Sequence, residues 1–325
     1  MTSGSDGPYF DDLTVGLAVT DAPAATLTEG RAAAHQAIVG DRLRLALDDR
    51  LASLVSGGPL AHPAFVWDTA IGQSTLLTRR VVANLFYRGL VFHRLPRIGD
   101  TLSTTTEVVG LAQNRSRPSG LAALRITTVD QAGRTILDFW RCAMLPLSSP
   151  DVVTGHADDL AAVGAKVSDD DLERSLAGRD LAAVPASGVP AAGEVFAVEA
   201  GDVVSSAPEL ARLTLNVARV HHDHRPGGGR RLVYGGHTIG IALAQVTRAI
   251  PGLVTVLAWE GCDHTGPVHE GDTLTSRIEV VSARPGTAGG TLLDLRSVVS
   301  AISADDEAGE AARDVLDWRF CALAI

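Results

Sequence analysis

Hydrophobic and polar positions alternate over much of this chain with the two-residue period of a half-buried strand. Near the end, Leu316, Trp318, Phe320 and Ala322 oppose Val315, Asp317, Arg319 and Cys321. Elsewhere the period lengthens. Thr238 to Ala249 is an apolar run with Ile239, Leu243, Val246 and Ile250 at helical spacing, and strand-like segments follow it. RSRPSG (115–120) and ARPGTAGG (283–290) carry the residues of hairpin turns. One helix followed by consecutive antiparallel strands predicts an α+β unit with the sheet packed on the helix.

The pattern occurs twice. ANLFYRGLVFHRLPRIGDTLSTTTEVV (83–109) aligns without gaps on TVLAWEGCDHTGPVHEGDTLTSRIEVV (255–281). The offset is constant, 271 − 99 = 172 and 279 − 107 = 172. ILDFWRCAML (136–145) matches VLDWRFCALA (315–324) at 317 − 138 = 179, so about seven extra residues are expected in the second copy, at ADDEAGEA (304–311). The chain therefore divides into residues 1–147, a Pro-, Asp- and Ala-rich linker over 148–193, and residues 194–325. Within the linker, Ser168 and Asp171 form a capping-box start and Gly178 a stop for a short helix. Asp100 and Asp272 precede equivalent strands and read as turn formers.

At 325 residues with 46% hydrophobic positions, the chain can bury cores made mainly of Val, Leu, Ile and Ala. A net charge of −10 with no basic block disfavours a nucleic-acid or anionic-membrane partner. The three cysteines lack metal-type spacing and point to a reducing compartment. Neither a signal-peptide pattern nor a membrane-length apolar run is present, so the expectation is a soluble cytoplasmic protein.

Candidate chemistry gathers in LNVARVHHDHRPGGGRRLVYGGHTIGIALAQ (215–245). Asn216, Arg219, His221, His222, Asp223 and His224 form a compact polar cluster, and Tyr234-Gly235-Gly236-His237 opens the apolar helix. Two glycines at a helix start leave N–H groups uncovered, and these suit a developing negative charge. Beside protonatable groups, they make a candidate acid/base site with an oxyanion hole. His222 and His224 read as loop residues or phosphate contacts, and a three-His zinc site is the disfavoured alternative. Arg219 suits a substrate carboxylate or phosphate, or equally an internal ion pair. Tyr234 suits an acyl pocket or simple packing, and His237 a helix cap or a solvent-facing position. Asp68, in VWDTAIGQ, reads as a surface residue of the first-half helix.

Helix-then-sheet repeats with FxxxxPxxGDTL-like second strands resemble the MaoC-like double-hotdog hydratases and dehydratases, which act on acyl thioesters. The resemblance covers nearly the whole chain. It is nearest to the mesaconyl-CoA hydratase (β-methylmalyl-CoA dehydratase) branch, through VANLFYRGLVFHRLPRIGDTLSTTTEVVGLAQNRSRPSG and NVARVHHD followed by RRLVYGGHTIGIALA. It implies a tandem hotdog, each half an antiparallel sheet wrapped around a long central helix, with 1–147 non-catalytic and 194–325 catalytic. The family's GDxNPLH motif activates water through its Asp and His. In the second half the His falls on His221, the Asp position on Asn216 and the oxyanion glycine on Gly236. In the first half GDRLRLA keeps Asp41 but puts Ala46 at the His position, and PLAHPAF puts Pro63, which has no N–H, at the glycine position.

The resemblance thus implies one active site per chain, with Asn216, His221 and Gly236 catalytic. Arg219, Asp223, Tyr234, Gly235 and His237 are the substrate-binding candidates. Asn216 departs from the pattern, because an amide orients water but cannot take its proton. Either His221 acts alone, or Asp223 or Asp41 serves as the carboxylate. The implied activity is reversible water addition to a short, branched or dicarboxylic enoyl-CoA such as mesaconyl-CoA. The substrate would be a CoA or acyl-carrier-protein thioester, with no metal and no further cofactor, in a monomer or homodimer. Two rivals stand beside it: a double-hotdog acyl-CoA thioesterase using Asp68, and a non-catalytic acyl-thioester-binding subunit.

Overall fold

The structure, a computed structural model, describes residues 6–303 and 312–325. The first half contains β1 (Ala18–Val19), β2 (Ala25–Thr26), α1 (Glu29–Val39), α2 (Arg44–Leu47), α3 (Asp49–Ser56) and α4 (Pro63–Gln73). Strands β3 (Ala83–Phe92), β4 (Thr101–Gln113), β5 (Ser119–Val129) and β6 (Thr135–Pro146) complete it. A linker carries α5 (Asp169–Arg174). The second half runs through β7 (Val195–Val203), α6 (Ala207–Leu213), α7 (Gly235–Ala249), β8 (Leu253–His264), β9 (Thr273–Pro285), β10 (Thr291–Ile302) and β11 (Arg313–Ala324).

One antiparallel sheet runs through both halves in the order β1-β4-β5-β6-β3-β8-β11-β10-β9-β7, with β2 paired to β4. The order is symmetric about the β3–β8 seam, where Tyr87 pairs with Cys262 and Leu90 with Trp259. The repeat is thus physical. β4 and β9 keep the same offset at both ends (273 − 101 = 172 and 285 − 113 = 172). Gln73 donates to the Leu102 carbonyl at 2.9 Å, and its equivalent Gln245 (245 − 73 = 172) donates to the Leu274 carbonyl at 2.8 Å. The offset of 179 sets Phe139 on β6 against Trp318 on β11, both fully buried. Residues 304–311, the expected site of the extra residues, lie outside the described residues.

Helices α4 and α7 are the two central helices. Every residue of α4 is buried, and α7 is buried from Gly236 to Thr247. An all-buried helix must be enclosed by sheet on most sides, and that explains its weak amphipathic pattern. The halves share one core. Trp67 of α4 packs on Trp259 of β8 and Trp318 of β11 at ring distances of 4.8 and 6.2 Å. The turns fall at the predicted places, between Gln113 and Ser119 and between Pro285 and Thr291. Asp100 and Asp272 accept the N–H groups of Arg97 and His269, at 2.9 and 3.0 Å, as turn formers do. In the linker the Ser168–Asp171 capping box forms, but the helix stops at Arg174, ahead of Gly178.

Candidate active site

A cavity of about 350 Å³ opens between the halves, walled by the start of α7, the 216–221 segment, the end of β8 and the first-half elements α4, β3 and β6. Asn216, His221, Tyr234 and Gly235 line it.

The 216–221 segment is held by tight local geometry. Leu215 takes a left-handed φ of 63°, an unusual conformation for a branched side chain. The chain then runs against α4 at Gly72, where a Cβ would overlap the Thr214 carbonyl oxygen. Asn216 Oδ1 accepts the Ala218 N–H at 3.0 Å in an Asx turn, and its Nδ2 has no partner among the described residues. A 3₁₀ turn, Arg219–His221, brings His221 onto the cavity wall. Its Nδ1 lies 2.9 Å from the Leu232 carbonyl. A carbonyl only accepts, so Nδ1 carries the proton and Nε2 is left as a lone-pair acceptor. Burial pushes the imidazole down to about 4, with His222 and Arg141 adding to the effect. At neutral pH it is an uncharged base.

Helix α7 starts at Gly235 with no side-chain cap. Its first N–H groups, on Gly235 and Gly236, find no protein acceptor among the described bonds, whereas the His237 N–H reaches the Tyr234 carbonyl at 3.0 Å. Both glycines sit where side chains cannot. A Cβ at Gly236 would overlap Asp68 Oδ1 and the Tyr234 hydroxyl, and one at Gly235 would crowd His264 Nε2.

The first half preserves the same frame with the opening plugged. Asp41 Oδ1 accepts the Leu43 N–H at 2.6 Å, the Asx turn that Asn216 makes with Ala218. His62, the counterpart of Tyr234 (234 − 62 = 172), spans the gap. Its Nδ1 accepts the Ala64 N–H at 3.0 Å and its Nε2 lies 2.8 Å from Asp41. The same offset, anchored by Gln73 and Gln245, corrects one expectation. Pro63 corresponds to Gly235, and the counterpart of Gly236 is Ala64. The first half still has no free donor there, because His62 takes the Ala64 N–H.

The remaining expected residues are placed unevenly. Arg219 is exposed, lies 3.8 Å from Asp6, and does not reach the cavity. Asp223 is bound by Arg225 at the surface turn, which holds its carboxyl down at about 2, and it too stays off the cavity. His237, in the first turn of α7, is fully buried with no partner on either ring nitrogen among the described residues, and burial pushes it down to about 3. It therefore neither caps the helix nor faces solvent. Of the neighbouring histidines, His222 bonds the Asn216 carbonyl at 2.6 Å and His224 is exposed. Asp68 is wholly buried, 2.8 Å from His35, and is not a surface residue.

Arg141 and His264 also line the cavity and carry no mark in the sequence taken linearly. Comparing the two copies exposes them. Arg141 stands where the second copy has Phe320 (320 − 141 = 179), and His264 where the first has Phe92 (264 − 92 = 172). His264 has no partner on Nε2 among the described residues, and burial pushes it down to about 4.

No family model matches the chain. It is 28% identical over 313 residues to the β-methylmalyl-CoA dehydratase of Chloroflexus aurantiacus, covering 90% of this chain and 88% of that one. It is 30% identical over 302 residues to the mesaconyl-CoA hydratase of Cereibacter sphaeroides, covering 86% of each.

The chain belongs to the MaoC-like double-hotdog hydratase/dehydratase family.

A conserved double-hotdog protein of Mycobacterium tuberculosis has the same fold, with 55% identity and a TM-score of 0.90 over 98% of this chain and 99% of that one. As a MaoC-like double hotdog, the chain keeps an Asx turn in each half and an open helix start in only one.

Proposed function

We propose that this chain catalyses the reversible addition of water to the α,β double bond of a short, branched or dicarboxylic enoyl-CoA, with mesaconyl-CoA as the leading candidate. One observation carries the reading: a neutral imidazole with a free Nε2 shares a cavity wall with the uncapped start of α7.

Asn216 Nδ2 donates to the oxygen of the attacking water and so turns a water proton toward His221 Nε2. His221 takes that proton as the oxygen bonds to Cβ. Electron density moves onto the thioester oxygen, where the N–H groups at the start of α7, those of Gly235 on the cavity wall and of Gly236 buried just beyond it, hold the enolate. His221 then returns the proton to Cα, and dehydration retraces the path. Tyr234 and Gly235 border the acyl group. No Asp or Glu lines the cavity among the described residues, so His221 serves alone as base and acid. The same fact weakens the thioesterase alternative, since Asp68 is not among the lining residues: its Oδ2 lies 2.8 Å from His35 and its Oδ1 sits against Gly236.

In this reading the enzyme is cytoplasmic, in keeping with three buried, unpaired cysteines. In the same reading both hotdogs of the functional pair lie in one chain, which the β3–β8 pairing supports. Incubation with mesaconyl-CoA and crotonyl-CoA tests the assignment. Loss of enoyl-thioester absorbance without release of CoA thiol is the expected result, and thiol release would overturn it. In a folded His221→Ala variant turnover should fall by about a hundredfold or more.

A further inference from the structure

The cavity wall holds a buried cation with no counter-ion among the described residues. Arg141 projects inward from β6 into the cavity wall and is only 3% exposed. Its Nη2 donates to the Ser74 carbonyl at 3.2 Å and to Thr78 Oγ1 at 2.8 Å, two neutral groups just beyond α4. Its Nε is buried without a partner, and no carboxylate pairs with it or lines the cavity among the described residues. Of the titratable groups coupled to it, Tyr87 and Cys142 are both pushed upward by burial and are uncharged at neutral pH, and His221, which its charge helps push down, is neutral as well.

Burying a guanidinium with no counter-ion is costly, and natural interiors pair such groups. The fold has an apolar solution at this position. In the second half the equivalent residue is Phe320, which stacks on Trp318 at 3.7 Å. The charge in the first half therefore points to a ligand. With Nη2 held by Ser74 and Thr78 and Nη1 in no described hydrogen bond, the guanidinium fits a carboxylate on an acyl chain whose thioester end lies at α7.

We infer that Arg141 is the specificity-determining residue of this site, pairing with a carboxylate at the distal end of a short dicarboxylic acyl-CoA. The inference rests on the hydratase reading for the placement of the thioester. Its test uses ligands that cannot react. Succinyl-CoA and butyryl-CoA share a four-carbon acyl chain and differ in the terminal carboxylate.

Calorimetric titration of the full chain should show succinyl-CoA binding tighter than butyryl-CoA by on the order of a hundredfold. In Arg141→Met that preference should vanish while butyryl-CoA affinity holds, and Arg141→Lys should retain part of it. Equal affinities in the wild type would overturn the inference. So would an equal loss for succinyl-CoA, butyryl-CoA and free CoA in the Met variant, which would assign Arg141 to the CoA phosphates or to the fold. Should the Met variant not fold, the wild-type comparison and the Lys variant decide. A chain that shows this preference but hydrates neither mesaconyl- nor crotonyl-CoA would sink the hydratase reading and leave the carboxylate site standing.

Discussion

Ala64 and Gly236 occupy the same place in the two halves (236 − 64 = 172), the second position of each central helix, but only Ala64 has its N–H taken, by Nδ1 of His62. The other nitrogen of His62 lies 2.8 Å from Asp41, so one imidazole fills the space between the Asx turn and the helix start. The equivalent space in the second half is part of the cavity. The N-terminal half is thus a hotdog site closed by its own side chain.

His62→Ala should accordingly damage stability and spare chemistry. Asp41 is 1% exposed and would keep only the Leu43 N–H, so losing the neighbouring imidazole should cost about 1.5–3 kcal/mol, as for a buried hydrogen bond to a charged group. Urea denaturation should show the loss, while turnover of the folded fraction stays at the wild-type level. A large fall in turnover would show that the closed half takes part in the reaction.

Gly236→Ala should act on the rate. Its Cβ would overlap Asp68 Oδ1 and the Tyr234 hydroxyl, which forces the helix start to shift. Loss of an aligned oxyanion donor costs about 10²–10³ in kcat. Steady-state kinetics on the best enoyl-CoA should show this loss in kcat more than in KM. An unchanged kcat would remove Gly236 from the mechanism.

Gly72→Ala should affect catalysis from the other half of the molecule. The added methyl would overlap the Thr214 carbonyl oxygen and press the Asn216 segment off α4. Displacing a positioning group by about 1 Å is worth about a hundredfold in rate. Gly30→Ala, at an open position of α1, is the matched control and should leave turnover unchanged.

Acid should weaken the fold before it titrates the site. His221 and His237 have ordinary values of 6.5 and are pushed by burial to about 4 and about 3. Below 6.5 the unfolded chain takes up protons that the folded chain refuses. The stabilisation is therefore complete above that pH and is lost as pH falls toward the folded values, at about 1.4 kcal/mol per pH unit for each histidine. Denaturation midpoints between pH 6.5 and 5 should fall steeply, and His237→Leu should remove about half of the slope due to this pair. Because His221 must be neutral to act as base, kcat/KM should stay level down to near pH 4 wherever the protein remains folded.

Much of this molecule is legible in its sequence because the information is periodic. Alternation such as Leu316, Trp318 and Phe320 reports which side of a strand is buried, and a constant offset of 172 reports a duplicated fold, since both depend only on spacing along the chain. The motif spacing from Asn216 to His221 and the paired glycines at 235 and 236 are local in the same sense. What is brought together across long separations is not. That Asp68 is buried against His35, that Arg219 faces Asp6 outside the cavity, and that His237 of α7 is buried without a partner among the described residues are all decided by how helices pack inside a sheet 11 strands wide. Arg141 and His264 come from opposite halves and meet at one cavity only because β3 pairs with β8. The sequence by itself determined two copies of one helix-and-sheet unit and a single motif that keeps its histidine, His221. The tertiary structure alone decided which side chains meet there, because enclosure, desolvation and charge pairing depend on distances through space.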